Sequence, residues 1–273
     1  MLLITGRTGQ LGLELAALFP DAISTSSGEL DITDERAVAA FVARHGIDVI
    51  VNCAAYTAVD GAEDERELAE KINTNGPLNL AKTGAKIIHI STDYVFGGTN
   101  FKPYIEMDEP NPCSVYGETK LAGERAVLGN AQTAVIIRTS WLYSPHRHNF
   151  VKTMVRLGAS NASLNVVSDQ VGTPTYAADL AGAIFAIIPQ IKLGQKAVYH
   201  FSNEGVCSWY DFAVEIMSLR GLKCKINPIA SEDYPMKARR PFYSVLGKAK
   251  IKRDFGIVIP HWRESLQKCL NRF

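Results

Sequence analysis

The sequence predicts an α/β protein with a doubly wound parallel sheet and a smaller C-terminal α/β lobe. Three observations lead there. Short apolar runs alternate with amphipathic stretches through the first half, a glycine-spaced turn follows the first run at once, and the alternation loosens after Ser140. The runs Leu2 to Thr5, Ala22 to Thr25, Asp48 to Cys53, Lys86 to Ser91 and Ala134 to Thr139 read as strands. Strands separated by helices of this length pair in parallel through right-handed crossovers.

The intervening segments carry helix signals. Leu11 to Phe19 follows the glycine turn, and Thr33, with Asp34 and Glu35 behind it, predicts an N-cap for a helix that turns Val38, Phe41 and Val42 to one side. A further helix opens near Tyr116, beyond Pro110 and Pro112, and runs to Leu128. In the second half Ala177 to Ile188 and Trp209 to Arg220 are helical, with Ser208 capping the latter, so its aromatics are expected to pack rather than bind. The expected organisation is a dinucleotide-binding domain over residues 1–143, to which about 168–194 return, interleaved with a smaller lobe over 144–273.

Composition narrows the function. Against 29 Lys and Arg stand 28 acidic residues, which removes any reason to expect nucleic acid or an anionic membrane as partner. The cluster Lys248, Lys250, Lys252 and Arg253 reads as a solvated face. Five scattered cysteines with no Cys-x-x-Cys pair argue against a disulfide framework or a zinc site and fit a reducing cytoplasm. No leader or membrane-length apolar stretch is visible.

The chemistry starts at Gly6-Arg7-Thr8-Gly9-Gln10-Leu11-Gly12. Glycines three apart between a strand and a helix let backbone amides and a helix N-terminus approach a pyrophosphate, the Rossmann fingerprint. The second strand ends in Ser24-Thr25-Ser26-Ser27 with no acid for ribose hydroxyls. Hydroxyls and Arg7 could hold a 2′-phosphate there, so NADPH is expected over NADH, with Asp31 and Ile32 beside the adenosine. Ser91 and Thr92 end a buried strand at the sheet's carboxyl edge, where ligands bind in such folds, and are candidates to donate to a substrate carbonyl.

Tyr116 and Lys120 stand four apart on a helix and so share a face. A phenol with its ordinary pKa near 10 releases its proton reluctantly, and an adjacent ammonium tunes it as a general acid. Of ten tyrosines only Tyr116 has a lysine at that spacing. No Gly-x-Ser-x-Gly elbow, His-Glu-x-x-His helix or Gly-Lys-Ser/Thr loop supports a hydrolase, zinc peptidase or ATPase. His146 and His148, flanking Arg147 in an expected loop, are surface residues unless they meet the substrate, and His89 and His200 are expected as satisfied core histidines.

These pieces resemble the extended short-chain dehydrogenase/reductase family and, within it, the dTDP-4-dehydrorhamnose reductases. The carriers are the glycine turn, Val51 to Asp60, Ser91 to Phe96, Val115 to Glu124, Arg138 to Trp141, Asn149 to Met154, Asp169 to Thr175 and Arg240-Pro241. The resemblance implies that Tyr116 protonates the C4 oxygen of a nucleotide sugar while hydride reaches C4, that Lys120 binds the nicotinamide ribose, and that Thr92 holds the carbonyl. It implies further that Ala54, Ala55, Thr57 and Ser91 line the cofactor cleft, that Asp93 and Trp141 meet the substrate, and that Arg240 contacts its nucleotide part.

Departures from the family pattern are Ser114 for the usual Asn, Gly97 for a frequent acid, and Tyr243 for an Asn after Arg-Pro. Glu14 matches one acid of a metal-linked dimer contact and Ala178 stands where another is expected, which implies no metal and a monomer or weak homodimer. Two alternatives stay open: a cofactor-holding regulatory subunit of the methionine adenosyltransferase type, and a reductase or epimerase of another nucleotide sugar.

Overall fold

The computed structural model describes all 273 residues. The first unit runs β1 (Leu2–Thr5), α1 (Gln10–Leu18), β2 (Ile23–Thr25), α2 (Glu35–His45), β3 (Val49–Asn52), α3 (Val59–Asp64), α4 (Arg66–Glu70), α5 (Gly76–Ala81), β4 (Lys86–Thr92), α6 (Val115–Asn130) and β5 (Ala134–Thr139). The chain then alternates between units through β6 (Leu142–Tyr143), α7 (Phe150–Ser160), β7 (Ser163–Val167), β8 (Val171–Gly172), β9 (Thr175–Tyr176), α8 (Ala177–Ile187) and β10 (Lys196–His200). It closes with β11 (Cys207–Ser208), α9 (Trp209–Leu219), β12 (Lys225–Ile229), α10 (Ala249–Phe255) and α11 (Trp262–Leu270).

Six strands form one sheet in the order β10-β5-β4-β3-β1-β2, and every pair is parallel. Such strands are covered on both faces, so they read as continuous apolar runs rather than alternating ones. On one face Leu11, Leu15, Leu180, Ile184 and Ile251 pack on Ile4, Val51 and Ile137. On the other Val38, Val42, Leu80 and Val127 pack on Leu3, Ile50 and Ile136. A separate core around Phe212, Met154, Trp262 and Leu266 holds the second lobe, where β7 and β12 pair in parallel.

Local signals set the ends. The α2 cap is Asp34, whose carboxylate accepts from Ala37 N, one residue past the expected Thr33. Ser208 and Asp211 form a complete capping box for α9. The return to the sheet extends beyond the expected 168–194, because β10 pairs with β5 and α10 packs under the sheet. The basic cluster is a solvated face only in part: Lys252 and Arg253 are exposed, whereas Lys248 is 8% exposed and donates to Asn203 O.

One irregularity positions the cleft. Between α4 and α5 the helix widens into a π-turn over Lys71–Asn75, which sequence periodicity does not reveal. It delivers Asn73, fully buried, to a two-way bond with the Tyr56 backbone, accepting from Tyr56 N at 2.9 Å and donating to Tyr56 O at 3.1 Å. That fixes the loop carrying Ala54, Ala55 and Thr57. No helix is long and apolar enough to cross a membrane.

Candidate active site

The strand order reverses between β1 and β3, and a cleft opens at their carboxyl ends, as expected for this class of sheet. Its larger compartment, about 520 Å³, is lined by Gly9, Gln10, Leu11, Gly12, Ala55, Thr57, Ser91, Tyr116, Lys120 and Trp141. A second, about 420 Å³, is lined by Gly6, Thr8, Gly9, Asp31, Ile32, Ala54 and Ala55. The glycine turn between them leaves no room for side chains. Gly6 has φ 71°, and a Cβ on it would lie 2.7 Å from Ala54 N, while one on Gly12 would lie 2.3 Å from Gly6 O. The cradle therefore fits a dinucleotide, whose pyrophosphate would meet the N-terminus of α1.

Tyr116 and Lys120 sit on the first two turns of α6. Ser114 caps this helix by accepting from Gly117 N at 3.2 Å, so the departure from Asn keeps a good capping residue. Tyr116 is half-buried in the cleft wall, its ring edge-on to Tyr94 at 5.5 Å, with the Thr92 hydroxyl within hydrogen-bonding reach. Burial raises its pKa, which keeps the phenol protonated. Lys120 is 2% exposed and donates to Ile90 O at 2.7 Å. Burial lowers its pKa to about 8, against the opposing pull of Glu124. Glu124 is itself gripped by Arg138 at 2.8 and 2.7 Å in a buried fork and accepts from Ser91 Oγ.

Thr92 and Asp93 lie behind Tyr116 and are 5% and 1% exposed. The Thr92 hydroxyl accepts from Tyr94 N and donates to Asp93 Oδ1 at 3.1 Å, while Asp93 Oδ2 has no hydrogen-bond partner. Burial pushes the Asp93 carboxyl up to about 6, although bonds from Ser244 and Thr92 pull the other way.

The model of the RmlD substrate binding domain family matches residues 1–273. The chain belongs to the RmlD family. It is 41% identical to the spore coat polysaccharide biosynthesis protein SpsK of Bacillus subtilis, over 98% of this chain and 96% of that one. It is also 41% identical to a dTDP-4-dehydrorhamnose reductase of Mycobacterium tuberculosis, over 98% and 92%. The dTDP-4-dehydrorhamnose reductase of Bacillus anthracis, solved in complex with NADP, superposes with a TM-score of 0.96 at 40% identity, over 100% and 99% of the two chains.

Against this RmlD frame several expectations shift. An acid does stand at the end of β2: a tight turn brings Glu29 back to accept from Ser26 N and Oγ, and Arg7 pairs with Glu29 at 3.1 Å instead of lining the cleft. Arg240 lines a third hollow and is engaged with Asp60 at 2.7 Å and the Tyr94 hydroxyl at 3.0 Å. Trp209, expected only to pack, stacks on Trp141 at 3.7 Å and lines the cleft with it. Phe150, Arg147, His148 and Asn149 line it too, and sequence reasoning missed them because their lobe meets the cleft only in three dimensions.

His89 and His200 are each satisfied at one nitrogen only. The Nδ1 atoms meet Asn52 and Tyr104 O, whereas both Nε2 atoms are unpartnered, and burial holds His200 down at about 3. At Gly97 a Cβ would stand 2.8 Å from Asn111 O, so the acid frequent in relatives has no room. Glu14 is paired within the chain to Arg272 at 2.7 Å.

Proposed function

We propose that the chain reduces the C4 keto group of dTDP-4-dehydro-6-deoxy-L-mannose to dTDP-L-rhamnose with NADPH, for synthesis of cell-surface polysaccharide. The observation that carries the reading is the placement of Tyr116 and Lys120, one helical turn apart, in a cleft whose glycine cradle fits a dinucleotide. Relatives of about 40% identity over nearly the whole chain bear the reductase name, and one is solved with NADP.

The nicotinamide supplies a hydride to C4 when bound. The chain supplies the proton, the orientation and the dry wall. Tyr116 is the proton donor to the C4 oxygen, and its raised pKa keeps it loaded in the resting site. Lys120 stands one turn away, where its ammonium offsets the phenolate left behind and meets the nicotinamide ribose. Thr92 aligns the carbonyl with Tyr116, and Asp93 holds Thr92 in place. Trp141 lines the cleft for the sugar, and Arg240, held by Asp60 and Tyr94 in the neighbouring hollow, would contact its nucleotide part. Gly6, Thr8, Gly9, Gln10, Leu11 and Gly12 cradle or border the pyrophosphate, with Arg7 turned away to Glu29, and Asp31, Ile32, Ala54, Ala55, Thr57 and Ser91 line the remaining cofactor path. The Ser27 hydroxyl borders the second compartment, where it can meet the 2′-phosphate of NADPH, while Glu29, which holds Ser26 Oγ, leaves NADH usable as well.

The enzyme is taken to act in the cytoplasm, consistent with five unpaired cysteines, and as a monomer or weak homodimer without nucleic acid or membrane partners. The test follows NADPH oxidation with enzymatically generated dTDP-4-dehydro-6-deoxy-L-mannose and identifies the product. Rapid oxidation to dTDP-L-rhamnose is expected, with Tyr116→Phe binding NADPH while losing turnover. Turnover by Tyr116→Phe would refute the proton donor, and NADPH binding without turnover of this sugar would refute the substrate.

A further inference from the structure

Only two residues other than glycine adopt a left-handed backbone, Trp141 at φ 47° and Arg147 at φ 54°, and both line the same cleft. This conformation is unfavourable for a residue with a side chain, so surrounding contacts must hold it. For Arg147 those contacts are visible. Gln10 accepts from Ser144 Oγ at 3.0 Å and Asn149 Nδ2 at 2.9 Å and donates to Leu142 O at 3.2 Å, which sews the 142–149 segment to the glycine turn. Arg147 then lies across that turn, its Nε donating to Thr8 O at 2.6 Å.

The guanidinium has no acidic partner. Arg7, Arg138, Arg240 and Arg272 are paired with Glu29, Glu124, Asp60 and Glu14, whereas Arg147 forms no salt bridge and its terminal nitrogens bond nothing in the protein. Of the residues bordering the larger compartment, Arg147 and Lys120 alone carry a standing positive charge, and Lys120 is committed at the Tyr116 end. Nothing acidic and no side-chain cap occupies the first turn of α1. A pyrophosphate laid over Gly9 to Gly12 brings two negative charges, and a planar fork is the group best matched to its oxygens.

We propose that Arg147 is a cofactor-binding residue that reaches from the second lobe and closes on the dinucleotide pyrophosphate. Cofactor binding then ties the lobes together at that point. The proposal rests on the NADPH reading above. Because the 2′-phosphate would lie at the far end, beside Ser26 and Ser27, Arg147 serves NADPH and NADH alike.

The test measures NADPH and NADH binding to the native full-length chain, Arg147→Gly and Arg147→Gln by calorimetry at several salt concentrations, with thermal unfolding of each unliganded protein. Both Kd values should rise about ten- to a hundred-fold in both variants, the size of a lost charge-assisted bond, with a shallower salt dependence. Arg147→Gly should unfold at the native midpoint or higher, because glycine tolerates φ 54°. Native-like Kd values in the variants would overturn the proposal. So would weakened NADPH with unchanged NADH, which would assign Arg147 to the 2′-phosphate, or a raised substrate KM alone, which would assign it to the sugar diphosphate. If Arg147→Gly unfolds early while Arg147→Gln binds tightly, the residue is structural and the proposal fails. A native chain that binds neither cofactor removes the NADPH reading, and this one with it, before any variant is compared.

Discussion

Asp93 should be a residue at which the protein is less stable than it need be. Its carboxyl is 1% exposed, one oxygen is unpartnered, and burial moves its pKa from 3.8 to about 6. The folded state therefore binds the proton more tightly than the unfolded chain. Between pH 4 and 6 it holds more protons, so stability falls as pH rises through that window, and the full penalty applies above it. At about 1.4 kcal/mol per tenfold change in proton affinity, the cost at pH 7.5 is about 3 kcal/mol. Asp93→Asn keeps the shape and removes the charge. Urea unfolding at pH 7.5 should find the variant more stable by up to about 3 kcal/mol, and the gap should close near pH 4. Turnover should drop, since a group held at such a cost behind Tyr116 and Thr92 is expected to serve the reaction. A variant no more stable than the native chain at pH 7.5, or a gap of the same size at both pH values, would refute this reasoning.

Other perturbations probe the cradle, the buried fork and the lysine. Gly12→Ala places a Cβ 2.3 Å from Gly6 O, so it should cost about 1–3 kcal/mol and abolish measurable NADPH binding by calorimetry. Glu124→Gln strands the buried Arg138 guanidinium and should lower stability by about 3–5 kcal/mol in chemical unfolding, with much of the loss recovered when Arg138→Met is added. Because burial sets Lys120 near 8, its ammonium is lost as pH rises through that value, and NADPH affinity measured from pH 6.5 to 9.5 should fall there. In the same range the unfolded lysine still holds its proton, so the stability of the unliganded protein should rise between pH 8 and 10.

The parallel strands were legible because burial on both faces leaves apolar runs with little alternation: β1 and β5 match their expected bounds, β4 differs by one residue at one end, and β3 is a residue shorter at each end. The shared helix face of Tyr116 and Lys120 was legible because residues four apart are neighbours on a helix surface, and the Ser208 cap because capping is local chemistry. What escaped the sequence is what distant segments create together. β10 begins with exposed and half-exposed residues, so it reads weakly, and the expected return stopped at 194. The partner of Arg7 was hidden by a turn that folds Glu29 back. Trp209 reaches the cleft only because its helix packs beside Trp141, and the π-turn at Asn73 leaves no trace in apolar spacing.

The chain's late return to its own sheet has a consequence for synthesis. β5 is wholly buried, and its outer edge is covered only by β10, so that edge lies open until residues 196–200 have left the ribosome. Ala134-Val135-Ile136-Ile137 would meanwhile present unpaired amides and carbonyls on an apolar strand, the kind of surface on which nascent chains stick to one another. Ile251 and Phe255, which close the layer beneath, arrive later still. Premature termination anywhere between β5 and β10 should therefore leave an aggregating fragment rather than a small nucleotide-binding domain, and slow translation through this stretch should increase the cell's need for chaperones.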